Sequence, residues 1–323
     1  MLGVRLGAGR GAGAGEPGMI PDLGGRRAGW PAFALAALMA LVPLGCSPSV
    51  ASSDAKVNVV AGENFYGDLA TRVGGDLVSV SSILNDPNVD PHTYESSPQN
   101  AEAVADATLV VENGLGYDAF LDHLVGASPR SDRAVVDVQT LLGLADGANP
   151  HVWYDPATMP KVARVVADAL EGQRPDSKST IESNLKTYTD SFAPLTAKVA
   201  EIKTRYPATP VAYTEPVPGY LLDALGFKVL TPGGFARAIE AGTDPAPVDV
   251  AAQSDLLTGH QVKLLLYNSQ ATSPVTDSVR ALAGQSGVPV VGVSETMPAG
   301  AGGFVAWQLA QLEAIETALG GGK

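Results

Sequence analysis

Asp90-Pro91-His92-Thr93-Tyr94-Glu95 follows Val78-Ser79-Val80-Ser81-Ser82-Ile83, an alternating run that predicts a strand with one buried face. His92 therefore lies in the loop beyond a strand's carboxyl end, where open α/β domains place their ligands. Pro87 and Pro91 fix φ and bias their predecessors toward extended backbone, so the imidazole is presented from a restricted loop. Three further candidates read as lying at the ends of strand-like runs. They are His151 in Asn149-Pro150-His151-Val152-Trp153, Glu215 in Tyr213-Thr214-Glu215-Pro216, and Glu295 in Val293-Ser294-Glu295-Thr296. Two imidazoles and two carboxylates form a credible donor set for a divalent transition metal.

The elements around His92 alternate. Lys56 to Val60 reads as a strand, Glu63 to Ala70 leads into a helix, and Val73-Gly74-Gly75-Asp76 turns the chain into the strand that delivers His92. Ser97 is an N-cap with Pro98 in the first turn, Ala101 to Ala107 continues as helix, and Thr108 to Val111 is the next strand, closed by Asn113-Gly114. Strand, helix, strand, helix implies parallel pairing with crossovers. Val162, Val165, Val166, Ala169 and Leu170 form a helical stripe, and Ser177 to Arg205 reads mostly as one long helix, with Pro194 kinking it or beginning its second half. The pattern then repeats. Strands are expected at 210–213, 228–230, 263–267 and 288–293, and helices at 219–225 and 248–257. A terminal helix from Phe304 to Leu319 turns Phe304, Trp307, Leu312, Ile315 and Leu319 to the core. Gly233-Gly234 and Gly300 to Gly303 read as turns, and neither fits a phosphate loop because no Gly-Lys-Ser/Thr follows. The fold class expected is α/β, with two parallel-sheet (β/α) domains at 56–176 and 207–321 joined by a connecting helix at 177–206.

At 323 residues, 45% hydrophobic and 17% charged, the chain is long enough for two domains, each with its own core. The start differs. Arg5, Arg10, Arg26 and Arg27 precede an apolar run from Ala32 to Leu44, too short for a membrane span of roughly 30 Å but suited to a signal-peptide core. Pro43-Leu44-Gly45-Cys46 resembles a bacterial lipobox, with Pro43 where Leu is usual. Residues 1–45 are thus expected to be a signal peptide, Cys46 the lipidated mature N-terminus, and 46–55 a small polar tether. Cys46 is the sole cysteine, so no intramolecular disulfide is available to an exported chain. Removing residues 1–45 takes away four Arg and two acids and deepens the net charge from −13 to −15. A body this acidic excludes nucleic acid as partner and suits a cationic ligand.

Asp90-Pro91-His92-Thr93-Tyr94-Glu95, Ala107-Thr108-Leu109-Val110-Val111-Glu112-Asn113-Gly114 and His151-Val152-Trp153-Tyr154-Asp155-Pro156, in this order and spacing, resemble the metal-binding solute receptors of bacterial zinc and manganese ABC importers. The similarity covers roughly residues 56–320. It implies a metal site in the interdomain cleft, with His92, His151, Glu215 and Glu295 as ligands of Zn²⁺ or Mn²⁺. Glu295 stands where the family usually has Asp. The resemblance also implies a monomer on the outer face of the cytoplasmic membrane or in the periplasm, delivery to an ABC permease, and little hinge motion. Two departures stand out. Residues 126–148 contain no histidine, whereas zinc-specific members often carry a His-rich loop there, and Tyr117-Asp118 follows the Asn-Gly-Leu-Gly turn where Leu-Glu is common.

His123 and His260 lie in helical or helix-end contexts and read as surface or core residues, while Trp153 and Tyr154 read as core around the site. The protein is therefore not expected to be an enzyme. A zinc hydrolase needs an open position for water, which four protein ligands would not leave, and no His-Glu-x-x-His helix occurs. An adhesin or scaffold with a vestigial site is the remaining alternative.

Overall fold

The computed structural model describes residues 4–6, 55–87 and 89–320. Cys46 and nearly all of the leader and tether lie outside them. The first sheet contains β1 (Val4–Leu6), β2 (Val57–Glu63), β3 (Val78–Leu84), β4 (Leu109–Glu112) and β5 (Ala134–Asp137), in the order β1-β5-β4-β2-β3. The four strands β2 to β5 are parallel, and only the three-residue β1 runs antiparallel, against β5. The second sheet contains β6 (Pro210–Tyr213), β7 (Lys228–Val229), β8 (Leu265–Asn268) and β9 (Val290–Val293), all parallel, in the order β7-β6-β8-β9. With β1 set aside, both sheets share one topology. In each, the first strand of the unit sits between the second and the third, so the strand order reverses between the first and third strands. Ligand crevices open at the carboxyl ends of such a point.

Around the first sheet lie α1 (Asn64–Gly74), α2 (Pro98–Asp106), α3 (Ala119–Ala127) and α4 (Val138–Leu142). The connection is made by α5 (Thr158–Gln173), α6 (Lys178–Asp190) and α7 (Ala193–Arg205), and the second sheet carries α8 (Gly219–Leu225), α9 (Gly233–Glu240), α10 (Pro247–Thr258), α11 (Pro274–Gln285) and α12 (Phe304–Ala318). The helix expected from 177 to 205 is jointed. Pro194 has no N–H to continue the ladder and stands in the first turn of α7, while Ser191 and Phe192 keep right-handed backbone through the joint. Gly233-Gly234 opens a helix rather than a turn, because Phe235 and Ala236 behind it are buried and hold the segment in place. Strand β5 and helix α11 were also not anticipated. Strand β5 has only four residues, and tertiary packing decides such an element, whereas α11 has twelve and opens on a capping box at Ser273 and Thr276 that the sequence reading passed over.

The cores are not separate. One cluster of buried side chains runs from Val59, Phe65 and Leu109 to Leu221, Leu266 and Val291, and smaller clusters lie on the far face of each sheet. The bridge is aromatic. Phe65 stacks on Trp153 with ring centroids 4.6 Å apart and lies 6.2 Å from Trp307 of α12. Each such buried side chain stabilises the fold by about 1.5–3 kcal/mol. Helix α12 is further fastened to α1, where Phe304 N–H donates to Asp68 Oδ2 at 3.1 Å and Arg72 Nη2 donates to the Gly302 carbonyl at 3.0 Å. Among the described residues no helix is long and apolar enough to cross a membrane.

Candidate metal centre

The four sequence-predicted residues converge. His92 sits in a single 3₁₀ turn, Pro91–Thr93, whose N-cap Asp90 accepts from the His92 N–H at 2.9 Å. Glu215 and Glu295 each lie two residues beyond a strand end, after β6 and β9. His151 is placed differently from the expectation. It caps a 3₁₀ turn, Val152–Tyr154, and follows no strand, because Trp153 is drawn into the aromatic core and takes the chain with it. His92 Nε2 is 3.0 Å from Glu215 Oε1 and 3.5 Å from Glu295 Oε2, and His151 Nε2 is 3.4 Å from that same Glu295 oxygen. Donors about 2.0–2.1 Å from a tetrahedral ion lie about 3.4 Å from one another, so this spacing suits a shared cation. His151, Glu215 and Glu295 are at most 1% exposed, whereas the His92 side chain keeps 22%.

Polar neighbours hold the donors in place. Asn149 Oδ1 accepts from the His151 main-chain N–H at 3.1 Å and lies 2.7 Å from Nδ1, which leaves Nε2 facing Glu295. The Asn149 amide also donates to the Pro216 carbonyl at 2.8 Å, tying His151 to the Glu215 loop. Asn268, at the end of β8, gives its amide to Glu215 and, at 2.8 Å, to Glu295 Oε1. Gln270 Oε1 accepts the Glu295 and Thr296 N–H groups at 3.0 Å, while Gln270 Nε2 reaches the Val89 carbonyl of the His92 loop at 2.8 Å. Asn64 and the Met297 main chain bond reciprocally, at 2.8 and 2.9 Å. Such neighbours fix the orientation of donors and tune a metal site.

The charges of the cluster are mutually balanced. Burial works against a proton on His92, but the bond to Glu215 and the charges of Glu295, Glu215 and Glu240 outweigh it and raise the imidazole to about 9. Burial opposes charge on His151 as well, and the bond to Glu295 with the nearby carboxylates again raises it. For Glu295, burial pushes upward, yet the His151 bond, both imidazoles and Asn268 hold the carboxyl below its usual range. Protons on the imidazoles thus balance carboxylates that would be costly to bury alone.

Sequence reasoning missed Tyr117, Asn149, Glu240, Asn268 and Gln270. Tyr117 donates its hydroxyl to Glu295 Oε2 at 2.8 Å, which gives the Tyr117-Asp118 departure a structural consequence. Asp118 in turn accepts the Asn113 and Gly114 N–H groups at 2.6 and 2.9 Å and shapes the loop that carries Tyr117. In that loop Gly114 has φ +74°, and a Cβ there would meet Gln139 Cβ at 2.8 Å. Trp153 and Tyr154 are core residues as expected, each 1% exposed. His123 and His260 are exposed and stand apart from the site.

Two α/β halves of matched topology meet at a buried cluster of imidazoles and carboxylates, a donor set that could hold a cation. The chain belongs to the family of periplasmic zinc-uptake complex component A (ZnuA), whose profile matches residues 59–318. Members of this family are substrate-binding receptors, not enzymes. The chain is 27% identical over 224 residues to the manganese-binding lipoprotein MntA of Halalkalibacterium halodurans, covering 63% of this chain and 74% of the relative. It is 28% identical over 259 residues to the manganese ABC transporter substrate-binding lipoprotein scaA of Streptococcus gordonii, covering 73% and 81%. Its fold matches the periplasmic zinc binding protein TroA of Treponema pallidum with a TM-score of 0.71 at 21% identity, over 82% of this chain and 99% of that one.

Proposed function

We propose that this protein is an extracytoplasmic receptor that captures one Zn²⁺ or Mn²⁺ ion and delivers it to an ABC import permease. The observation that carries this reading is the meeting of both histidines on one carboxylate, with His92 Nε2 and His151 Nε2 at 3.5 and 3.4 Å from Glu295 Oε2. In this reading His92 and His151 give neutral imidazole nitrogens, and Glu215 and Glu295 give carboxylate oxygens. The set neutralises a dication, which makes burial of the ion tolerable. Four protein donors leave a tetrahedral ion no position for a nucleophilic water, so the site holds cargo and is not built for hydrolysis. Acylation of Cys46 would hold a monomeric receptor at the outer face of the membrane through the tether.

Titration of metal-free protein spanning residues 47–323 with each ion, followed by calorimetry and melting temperature, tests the reading. Binding of one ion per chain should raise the melting temperature by mass action, and His92→Ala should remove most of the affinity. A folded protein that binds neither ion would overturn it in favour of an adhesive or scaffolding role.

A further inference from the structure

Glu240 ends helix α9 and was not part of the predicted donor set. Its carboxylate forms a second close group with His92 and Glu215, in which the donor atoms all lie within 4.8 Å of one another. Its Oε2 also lies 4.0 Å from His151 Nδ1. That oxygen is buried and has no hydrogen-bond partner. Among the described residues no Lys or Arg forms an ion pair with Glu240. A carboxylate is moreover disfavoured at a helix C-terminus, where the backbone dipole is negative. Capping and surface solvation therefore do not account for this side chain, whose charge faces the two imidazoles and would face an ion bound between them.

Its position explains how an ion would meet it. His92 and Glu240 both line a cavity of about 540 Å³, together with residues 241–245 and 271–273. The same two side chains line a neighbouring cavity of about 320 Å³ beside Tyr117 and Pro150. They are the partly exposed members of the cluster, at 22% and 23%, while His151, Glu215 and Glu295 lie beneath them.

Resting on the receptor reading above, we propose that Glu240 is a fifth donor, engaged by an ion that takes more than four ligands and left aside by a tetrahedral one. Zn²⁺ is satisfied by four donors, whereas Mn²⁺ favours oxygen ligands and higher coordination numbers. Glu240 thus sets how well the site holds Mn²⁺ against Zn²⁺, partly offsetting the intrinsic order of affinities that favours Zn²⁺.

The experiment measures dissociation constants for each ion separately, by competition with a chromophoric chelator, in the wild type, Glu240→Gln and Glu240→Ala. X-ray absorption at the metal edge gives the number of oxygen and nitrogen donors. Both variants should weaken Mn²⁺ by about tenfold and Zn²⁺ by less than about threefold, with roughly one donor lost around Mn²⁺ and none around Zn²⁺. Equal weakening of both ions would reduce Glu240 to a diffuse negative charge and overturn the proposal, as would unchanged Mn²⁺ binding. Either result leaves the receptor reading standing, because the wild type still binds. A wild type that binds neither ion overturns both. Melting of the metal-free variants verifies that they fold, and Glu240→Gln, which keeps the side chain's volume, decides if Glu240→Ala does not.

Discussion

Tyr117 donates its hydroxyl to Glu295 across the cleft, at 2.8 Å, from the loop after β4 to the loop after β9. The bond orients the one carboxylate that both histidines approach. Replacing Tyr117 by Phe removes the bond while keeping the ring that packs 5.1 Å from Trp153 and 5.7 Å from His151. Metal affinity should fall by about tenfold, with a small change in the melting temperature of the metal-free form. Unchanged affinity in a competition titration would mean that Asn268 alone orients Glu295.

Protons compete with the ion. The His92 imidazole, raised to about 9 by its carboxylate neighbours against the pull of burial, carries a proton at pH 7.5 in metal-free protein. An ion that takes Nε2 must expel that proton. Calorimetry in buffers of different ionisation enthalpy should register about one proton or more released per ion, and affinity should climb from pH 6.5 toward 9. The same shift sets a stability trend. A histidine raised in the folded state contributes stability that is full below its ordinary 6.5 and is lost as pH rises through about 9. Melting temperatures in chelator should therefore drop across that interval, and a flat profile would contradict the His92–Glu215 pairing.

Glu63 and Asp118 form a second buried acidic pair, beneath the Tyr117 loop. Glu63 is fully buried with both oxygens unbonded, and burial, then Asp118 and Glu112, push its carboxyl well above the usual range. Burial raises Asp118 to about 7 despite the main-chain N–H groups it accepts. For such acids the stabilising contribution is present below the ordinary carboxylate range and is lost as pH rises through the folded value. Glu63→Gln should therefore leave stability unchanged near pH 4 and raise it increasingly from there to pH 8. Asp118→Asn should cost about 1–3 kcal/mol, because an amide N–H₂ would face the Asn113 or Gly114 N–H. Urea denaturation at both pH values distinguishes the two, and equal effects would refute the assignment.

The sequence made the strand ends legible, and with them His92, Glu215 and Glu295, because alternating or apolar runs ending in loops have a known direction. His151 is reached by the same strand-end reading and again by the motif resemblance, although in the structure it follows no strand. An apolar triplet, Val152-Trp153-Tyr154, has no period long enough to separate a strand from a 3₁₀ turn. Tyr117, Asn149 and Asn268 touch the donors through contacts 178, 2 and 53 positions away in sequence, and only Asn149 lies near enough to its partner to be read locally. Glu240 was hidden by Gly233-Gly234, whose residue types favour a turn while the burial of Phe235 enforces a helix. The shared core was missed for a related reason. Periodicity shows that Phe304 and Trp307 face inward, but not that the surface they cover belongs to Phe65 and Tyr154.

Because Phe304 and Trp307 close over Phe65, some 240 residues earlier, α1 and α12 are inseparable in folding. Truncation ahead of residue 304 would strip α1 of its cover. A chimera that exchanged one half between two such receptors would have to carry α12 and α1 together. Recombination is therefore a poor route to new specificity in this scaffold, and point substitution in the loops that carry His92, Glu215 and Glu295, or at Glu240 at the end of α9, is the shorter one.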